Sequence, residues 1–250
     1  CHLETTSSPL PFQIRRYEQR PFSYTPGRSL GDYFIHFDHA PGTGREDKFG
    51  IAGGAYRLRK SACFQQTEMT CLTCHDPHDV RRGAAAVQQY VAVCQSCHQG
   101  VHPGRAPQVQ GAGERATCLD CHMPKRRAED AVHTVVTDHH IQRRRPAVDL
   151  QAPRKETDNF ERGDYRGDVV VYYPPTLPAT PENELYLALA QVQQGSNLSA
   201  GIPRLEQAIE THRPDRADFY YELARAYSKM SNYDADIRWC EEALRRDPGF

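Results

Sequence analysis

Hydrophobic and polar positions change their pattern twice along this 250-residue chain. From about Pro181 onward apolar residues recur at helical spacing, which predicts four helices near 183–194, 199–212, 216–229 and 233–246. Ahead of them, residues 146–180 carry Pro146, Pro153, Pro174, Pro175 and Pro178 among mixed charges. That stretch predicts a Pro-rich linker with one short extended segment, the run Val169-Val170-Val171-Tyr172-Tyr173. Residues 1–145 are expected to be loop-rich, with few long helices and hardly any sheet.

The helical part repeats itself. Tyr186, Leu189 and Ala190 return 34 residues later as Tyr220, Leu223 and Ala224, and Pro214 and Pro248 keep the same offset. Thirty-four residues is the period of the tetratricopeptide repeat, a stacked helix pair that presents a concave surface to peptides or proteins. Tyr227, Cys240 and Ala243 fall at its packing positions, and Asn232-Tyr233-Asp234 forms the inner turn of the second pair. Asp236 departs from the small residue usual at its position, and Ala208 comes one residue early. A generic pair of helical hairpins is the alternative. Two repeats are fewer than the usual minimum of about three, so further repeats or a partner chain are expected to cover the open end.

Composition changes the picture for the first 145 residues. Only 38% of the chain is hydrophobic, and its mean hydropathy is −0.73, poor for a core of this size. The motif Cys-x-x-Cys-His supplies the explanation. It occurs as Cys71-Leu72-Thr73-Cys74-His75, Cys94-Gln95-Ser96-Cys97-His98 and Cys118-Leu119-Asp120-Cys121-His122. This is the attachment signature of c-type haem: two thiols add to the vinyl groups, and the adjacent histidine ligates the iron. Each macrocycle is an apolar plate on which side chains pack. Zinc knuckles are the competing chemistry, but three pairs do not divide into four-cysteine sites. Zinc also gives no reason for a histidine after every second cysteine; with 12 histidines in the chain, chance places three there about once in ten thousand.

Cys1-His2 at the start reads as the end of a fourth motif whose first half is missing, so the sequence is expected to be a fragment of a longer protein. A lipidated N-terminal cysteine is the rival reading. The first iron ligands are then His2, His75, His98 and His122. Eight histidines remain, enough to give four haems a second histidine each. Bis-histidine ligation gives lower potentials than His/Met ligation. His39, His78 and the pair His133 and His139 are the candidates for the distal position. His140 neighbours His139, and only one of the two easily points inward. His36, His102 and His212 are expected to be surface or hydrogen-bonding residues.

Charge adds little that is specific. The net charge is −1, and the clusters Arg57-Leu58-Arg59-Lys60, Arg81-Arg82, Lys125-Arg126-Arg127 and Arg143-Arg144-Arg145 are expected to pair with haem propionates. Aromatic platforms and a strongly basic domain are absent, which excludes nucleic acid as a partner. No apolar stretch is long enough for a membrane span. Haem attachment takes place outside the cytoplasm, so an extracytoplasmic location is expected: periplasm, cell surface or beyond. Cys63 and Cys240 read as small buried hydrophobes.

Further segments carry a resemblance: Cys1-His2-Leu3-Glu4-Thr5-Thr6-Ser7, Pro21-Phe22-Ser23-Tyr24, Tyr56-Arg57-Leu58-Arg59, Met69-Thr70-Cys71 through Asp76-Pro77-His78, Cys121-His122-Met123-Pro124-Lys125-Arg126-Arg127, and Val132-His133 through Asp138-His139. Together they resemble a family of bacterial multihaem cytochromes that end in tetratricopeptide repeats. The resemblance implies further haem motifs ahead of Cys1, close haem stacking and extracytoplasmic electron transfer. It favours His39, His78, His133 and His139 as distal ligands.

The fold expected is mainly α with much irregular structure. A haem-packed multihaem cytochrome c domain (1–145) is followed by the linker (146–180) and two tetratricopeptide repeats (181–250). Haem c is the expected cofactor, three copies on the full motifs and a fourth at Cys1-His2. The expected function is electron transfer, with the repeats docking redox partner proteins or another copy of the chain, including self-assembly into a conductive filament. Two alternatives stand beside it. One is a multihaem oxidoreductase acting on a small nitrogen or sulfur oxyanion, which needs an open iron, often marked by an altered motif that the chain does not show. The other is a repeat scaffold with structural haem.

Overall fold

In the computed structural model, residues 12–100, 117–153, 165–195 and 197–250 are described. Along the chain run strands β1 (Phe12–Arg15) and β2 (Phe34–His39), helices α1 (Gly54–Leu58), α2 (Ala62–Gln65), α3 (Gly83–Cys97) and α4 (Cys118–His122), strands β3 (Lys125–Arg127), β4 (Val135–Thr137) and β5 (Val169–Tyr173), and helices α5 (Pro181–Gln194), α6 (Leu198–His212), α7 (Ala217–Lys229) and α8 (Tyr233–Arg246). The described residues form two compact units. One holds those between 48 and 153, the other residues 12–47 together with 165–250. This division differs from one drawn on sequence at residue 145, because β1 and β2 belong with the C-terminal helices.

In that second unit β2 lies between β1 and β5, antiparallel to both, with Ile14 opposite Ile35 and Phe37 opposite Val171. Ile14, Ile35, Phe37 and Val169 join one apolar core with Leu185, Leu189, Leu205, Leu223 and Trp239 of the four helices. The strand-like run Val169–Tyr173 is thus a strand of this sheet. Gln191 on α5 holds its start: the side-chain oxygen accepts from Val169 N–H at 2.9 Å, and the amide donates to Gly167 O at 3.1 Å.

The four helices lie within two residues of the expected bounds, for local reasons. Thr180 caps α5, its hydroxyl accepting from Asn183 N–H, with Pro181 in the first turn. Gly195 ends α5 in the left-handed conformation at φ 69°. Asn232 caps α8 through Ala235 N–H. The residues 34 apart are matched in burial: Tyr186, Leu189, Ala190, Tyr220, Leu223 and Ala224 are all at most 2% exposed. Tyr17, just past β1, packs edge-on to Phe219 at 5.1 Å and beside Tyr186 at 5.5 Å, and Arg16 reaches Asn183 Oδ1 at 3.0 Å.

The first unit is less regular. It holds the short helices α1, α2 and α4, one long helix, α3, and the hairpin of β3 and β4, which pair with Lys125 opposite Thr137. Few apolar side chains are buried there: Phe49, Tyr56, Leu58, Ala86, Ala128 and Val132 among the described residues.

Helices α5 and α6 pack closely at Gly201, where a Cβ would stand 2.9 Å from Gln191 Cγ and 3.0 Å from Val192 Cγ1. Gly201→Ala gains about 1 kcal/mol of helix propensity but overpacks this contact, at a cost of about 1–3 kcal/mol, and pushes Gln191 off β5. The variant is expected to lower the urea midpoint of the helical signal. An unchanged or higher midpoint would mean that the two helices separate freely.

Candidate haem site

Each Cys-x-x-Cys-His motif folds as a helical turn, which brings residues three apart onto one face and so aligns the two thiols. In the first motif a 3₁₀ turn over Cys71–Thr73 is boxed by Thr70 and Thr73, and His75 N–H donates to Cys71 O at 2.9 Å. The second occupies the last turn of α3, where His98 N–H donates to Cys94 O at 3.0 Å. The third is α4 itself, capped by Thr117, whose N–H and hydroxyl both reach Asp120 Oδ2, at 2.7 and 2.8 Å. Side chains inside the motifs or directly ahead of them therefore set the turns in the first and third.

All six cysteines of these motifs are free, Cys97 exposed and the others half-buried. Burial pushes the Cys74 thiol up, and Cys63 and Cys71 push it further. Burial also pushes up Cys94, with Cys118 and Cys74 adding to it. Among the described residues no three His, Cys, Asp or Glu side chains are grouped to hold one metal ion, the arrangement a zinc knuckle needs.

The histidines differ in how they are held. His122 Nδ1 meets Gln142 O at 2.6 Å, and Gln142 N–H returns a bond to His122 O at 2.9 Å. His75 lies edge-on to Tyr90, with Nδ1 3.4 Å from the phenol oxygen. His139 Nδ1 faces Thr137 O at 3.1 Å. A histidine whose Nδ1–H is engaged in this way presents Nε2 to a metal. Burial, with His75 nearby also opposing its charge, lowers the pKa of His139 and favours the neutral ring that ligation requires. His98, at the end of α3, is exposed.

Of the four distal candidates, His139 is the one whose ring neighbours a motif histidine in the described structure: the His75 and His139 centroids are 6.2 Å apart, with ring planes at 40°. Two imidazoles on opposite sides of one metal, each bonded at about 2 Å, have centroids roughly 6 Å apart. Gly54 lies against the His139 ring, where a Cβ would sit 3.4 Å from Nδ1. The residues around Cys71–His75 thus fit a haem. His78 and His133 are exposed, the latter in the turn between β3 and β4. His39 lies on β2 in the other unit, buried, its ring 4.4 Å from that of Tyr165 and its Nδ1 3.2 Å from Asp38. Cys1, His2 and His102 lie outside the described residues.

Three arginines expected to serve propionates are engaged by the protein. Arg57 pairs with Asp138, Arg126 with Glu129, and Arg127 donates to Val132 O and Gln151 O. Tyr90 and Gln142 were not singled out from sequence. Gln142 acts through its carbonyl, which any residue supplies, and Tyr90 reaches His75 only through the packing of α3.

A family model for the doubled CXXCH motif matches residues 65–103. No curated protein and no solved structure gives a significant match. The similarity to a multihaem c-type motif covers the first two copies, and the Cys-x-x-Cys-His motifs imply covalently bound haem c. The doubled motif points to electron transfer of the multihaem c-type kind. No helix among the described residues is long and apolar enough to cross a membrane.

Replacing both cysteines of one motif, as in Cys71→Ala with Cys74→Ala, is expected to lower the haem count by one in intact-protein mass spectrometry. Cys63→Ala is expected to leave it unchanged, because Cys63 belongs to no Cys-x-x-Cys-His motif.

Proposed function

We propose that the chain is an electron-transfer protein in which closely spaced c-type haems are held by Cys-x-x-Cys-His motifs and saturated by a second histidine. The observation that carries this reading is the gathering of three motifs in one unit, with His139 beside His75. Cys71, Cys74, Cys94, Cys97, Cys118 and Cys121 attach three haems, and Cys1 belongs to a fourth. His2, His75, His98 and His122 are the first ligands; His39, His78, His133 and His139 are the second. Haem supplies one-electron redox capacity at the low potential that paired histidines favour. The chain's part is to fix the rings, keep their Nε2 atoms available and close the irons to substrate.

Helices α5–α8 are read as two tetratricopeptide repeats. The equal burial of Tyr186 and Tyr220, Leu189 and Leu223, and Ala190 and Ala224 supports that register. Their role is to dock a redox partner protein or another copy of the chain; head-to-tail docking of copies would extend the haems into a filament. Attachment chemistry makes the location extracytoplasmic.

The purified protein is expected to titrate reversibly over several electrons with wholly low-spin haem. His139→Ala is expected to turn one haem high-spin and able to bind carbon monoxide, with the haem count unchanged. Haem that does not cycle reversibly would overturn the electron-transfer reading. A spectral change of the parent on adding nitrite or hydroxylamine would favour the oxidoreductase instead. Negative-stain microscopy tests assembly: monomers alone would remove the filament and leave electron transfer standing.

A further inference from the structure

We propose that the buried pair Arg57–Asp138, together with Ser61 and Gly54, is a positioning device that holds His139 as second ligand to the iron attached at Cys71, Cys74 and His75. The inference rests on the ligand assignment above and adds which residues set its geometry.

His139 is bracketed from both sides. Before it, Asp138 is fully buried, and its N–H donates to Pro124 O at 3.0 Å. The Asp138 carboxylate takes both arms of the Arg57 guanidinium, Nε at 2.9 Å and Nη2 at 2.6 Å. The same Oδ1 accepts His140 N–H at 2.9 Å, so one carboxylate staples the backbone on either side of His139. Behind it, the buried Ser61 hydroxyl accepts Ile141 N–H at 2.8 Å and donates to His139 O at 3.3 Å. The ring itself is turned by Thr137 O and given room by Gly54.

These supports come from one short stretch. Gly54 and Arg57 are three apart on α1 and so share a face. Ser61 stands at the start of α2, its hydroxyl given to the His139 segment and not to the helix. Arg57 is seated in turn by Lys48 O at 3.4 Å and by the Phe49 ring 5.9 Å away. A second arginine, Arg126, stacks 5.1 Å from the same ring and stands 3.8 Å from Asp138. The ion pair meets the chain at residues 138 and 140, and Ser61 meets it at 139 and 141, so together they fix the backbone on both sides of the His139 ring. A fork that binds both carboxylate oxygens also fixes direction, which a lysine cannot do.

The test uses the full-length haem-loaded protein. Arg57→Lys keeps the charge and loses the fork. Gly54→Leu leaves the ion pair untouched and drives a side chain into the His139 ring. Each is expected to convert one haem per chain to a high-spin form that binds one equivalent of carbon monoxide when reduced, with haem count unchanged. Gly54→Ala is expected to stay low-spin, since its Cβ makes an ordinary contact. Spectra of Arg57→Lys that remain wholly low-spin overturn the proposal. If Arg57→Lys instead sheds haem from every motif, Gly54→Leu decides: one high-spin haem supports the device, none overturns it. His139→Ala in the same series separates the two readings. If that variant stays low-spin, the ligand assignment fails; if it alone turns high-spin, only the positioning device fails.

Discussion

Taking a guanidinium and a carboxylate out of water is costly, and their attraction offsets that cost only when geometry is good and the remaining hydrogen bonds are met. Arg57 and Asp138 are at most 1% exposed, yet both conditions hold: the contact is bidentate, and the carboxylate also carries the His140 N–H. Removing one partner from such a pair costs about 3–5 kcal/mol, because the other charge is left buried alone. The hairpin of β3 and β4, the His139 segment and the α1–α2 turn are all tied to this pair. In a unit with few buried apolar residues, a polar network takes over part of the work of a core, and the apolar faces of haem would supply the rest.

The other unit is built on the opposite principle. Its core is one apolar cluster of aliphatic and aromatic side chains, and the segment after β1 adds Tyr17 against Tyr186 and Phe219. Tyr17 donates its backbone N–H to the Tyr186 hydroxyl, which in turn donates to Glu18 at 3.2 Å. Burial raises both phenols far above their usual range, so they stay neutral hydrogen-bonding groups at any physiological pH. Close packing at Gly201 and the Gln191 bridge to β5 then join α6 to α5 and α5 to the sheet.

Much of this was legible locally. The period of 34 residues and the caps at Thr180 and Asn232 predicted four helices to within two residues, because helix limits depend on side chains close in sequence. The haem motifs were legible for the same reason: attachment demands a fixed spacing over five residues. The sheet was not. Ile35 and Phe37 alternate with polar neighbours as a half-buried strand should, but the partner of β2 is β5, over a hundred residues away, and no local pattern reports such a pairing. Residues 12–47 thus pack with the helices although they stand next to the haem motifs in sequence.

Sequence alone determined the chemistry. The paired thiols, the histidine behind each pair and the surplus of further histidines are composition and spacing, and they hold in any conformation. Tertiary structure decided selection and orientation. It brought one of the four distal candidates, His139, beside His75, and engaged Arg57 with Asp138, where the sequence had suggested a propionate partner. The physical reason is that covalent attachment is set over a few bonds. The placing of His139 depends instead on contacts such as Arg57 with Asp138 and Ser61 with Ile141, each between residues about eighty positions apart.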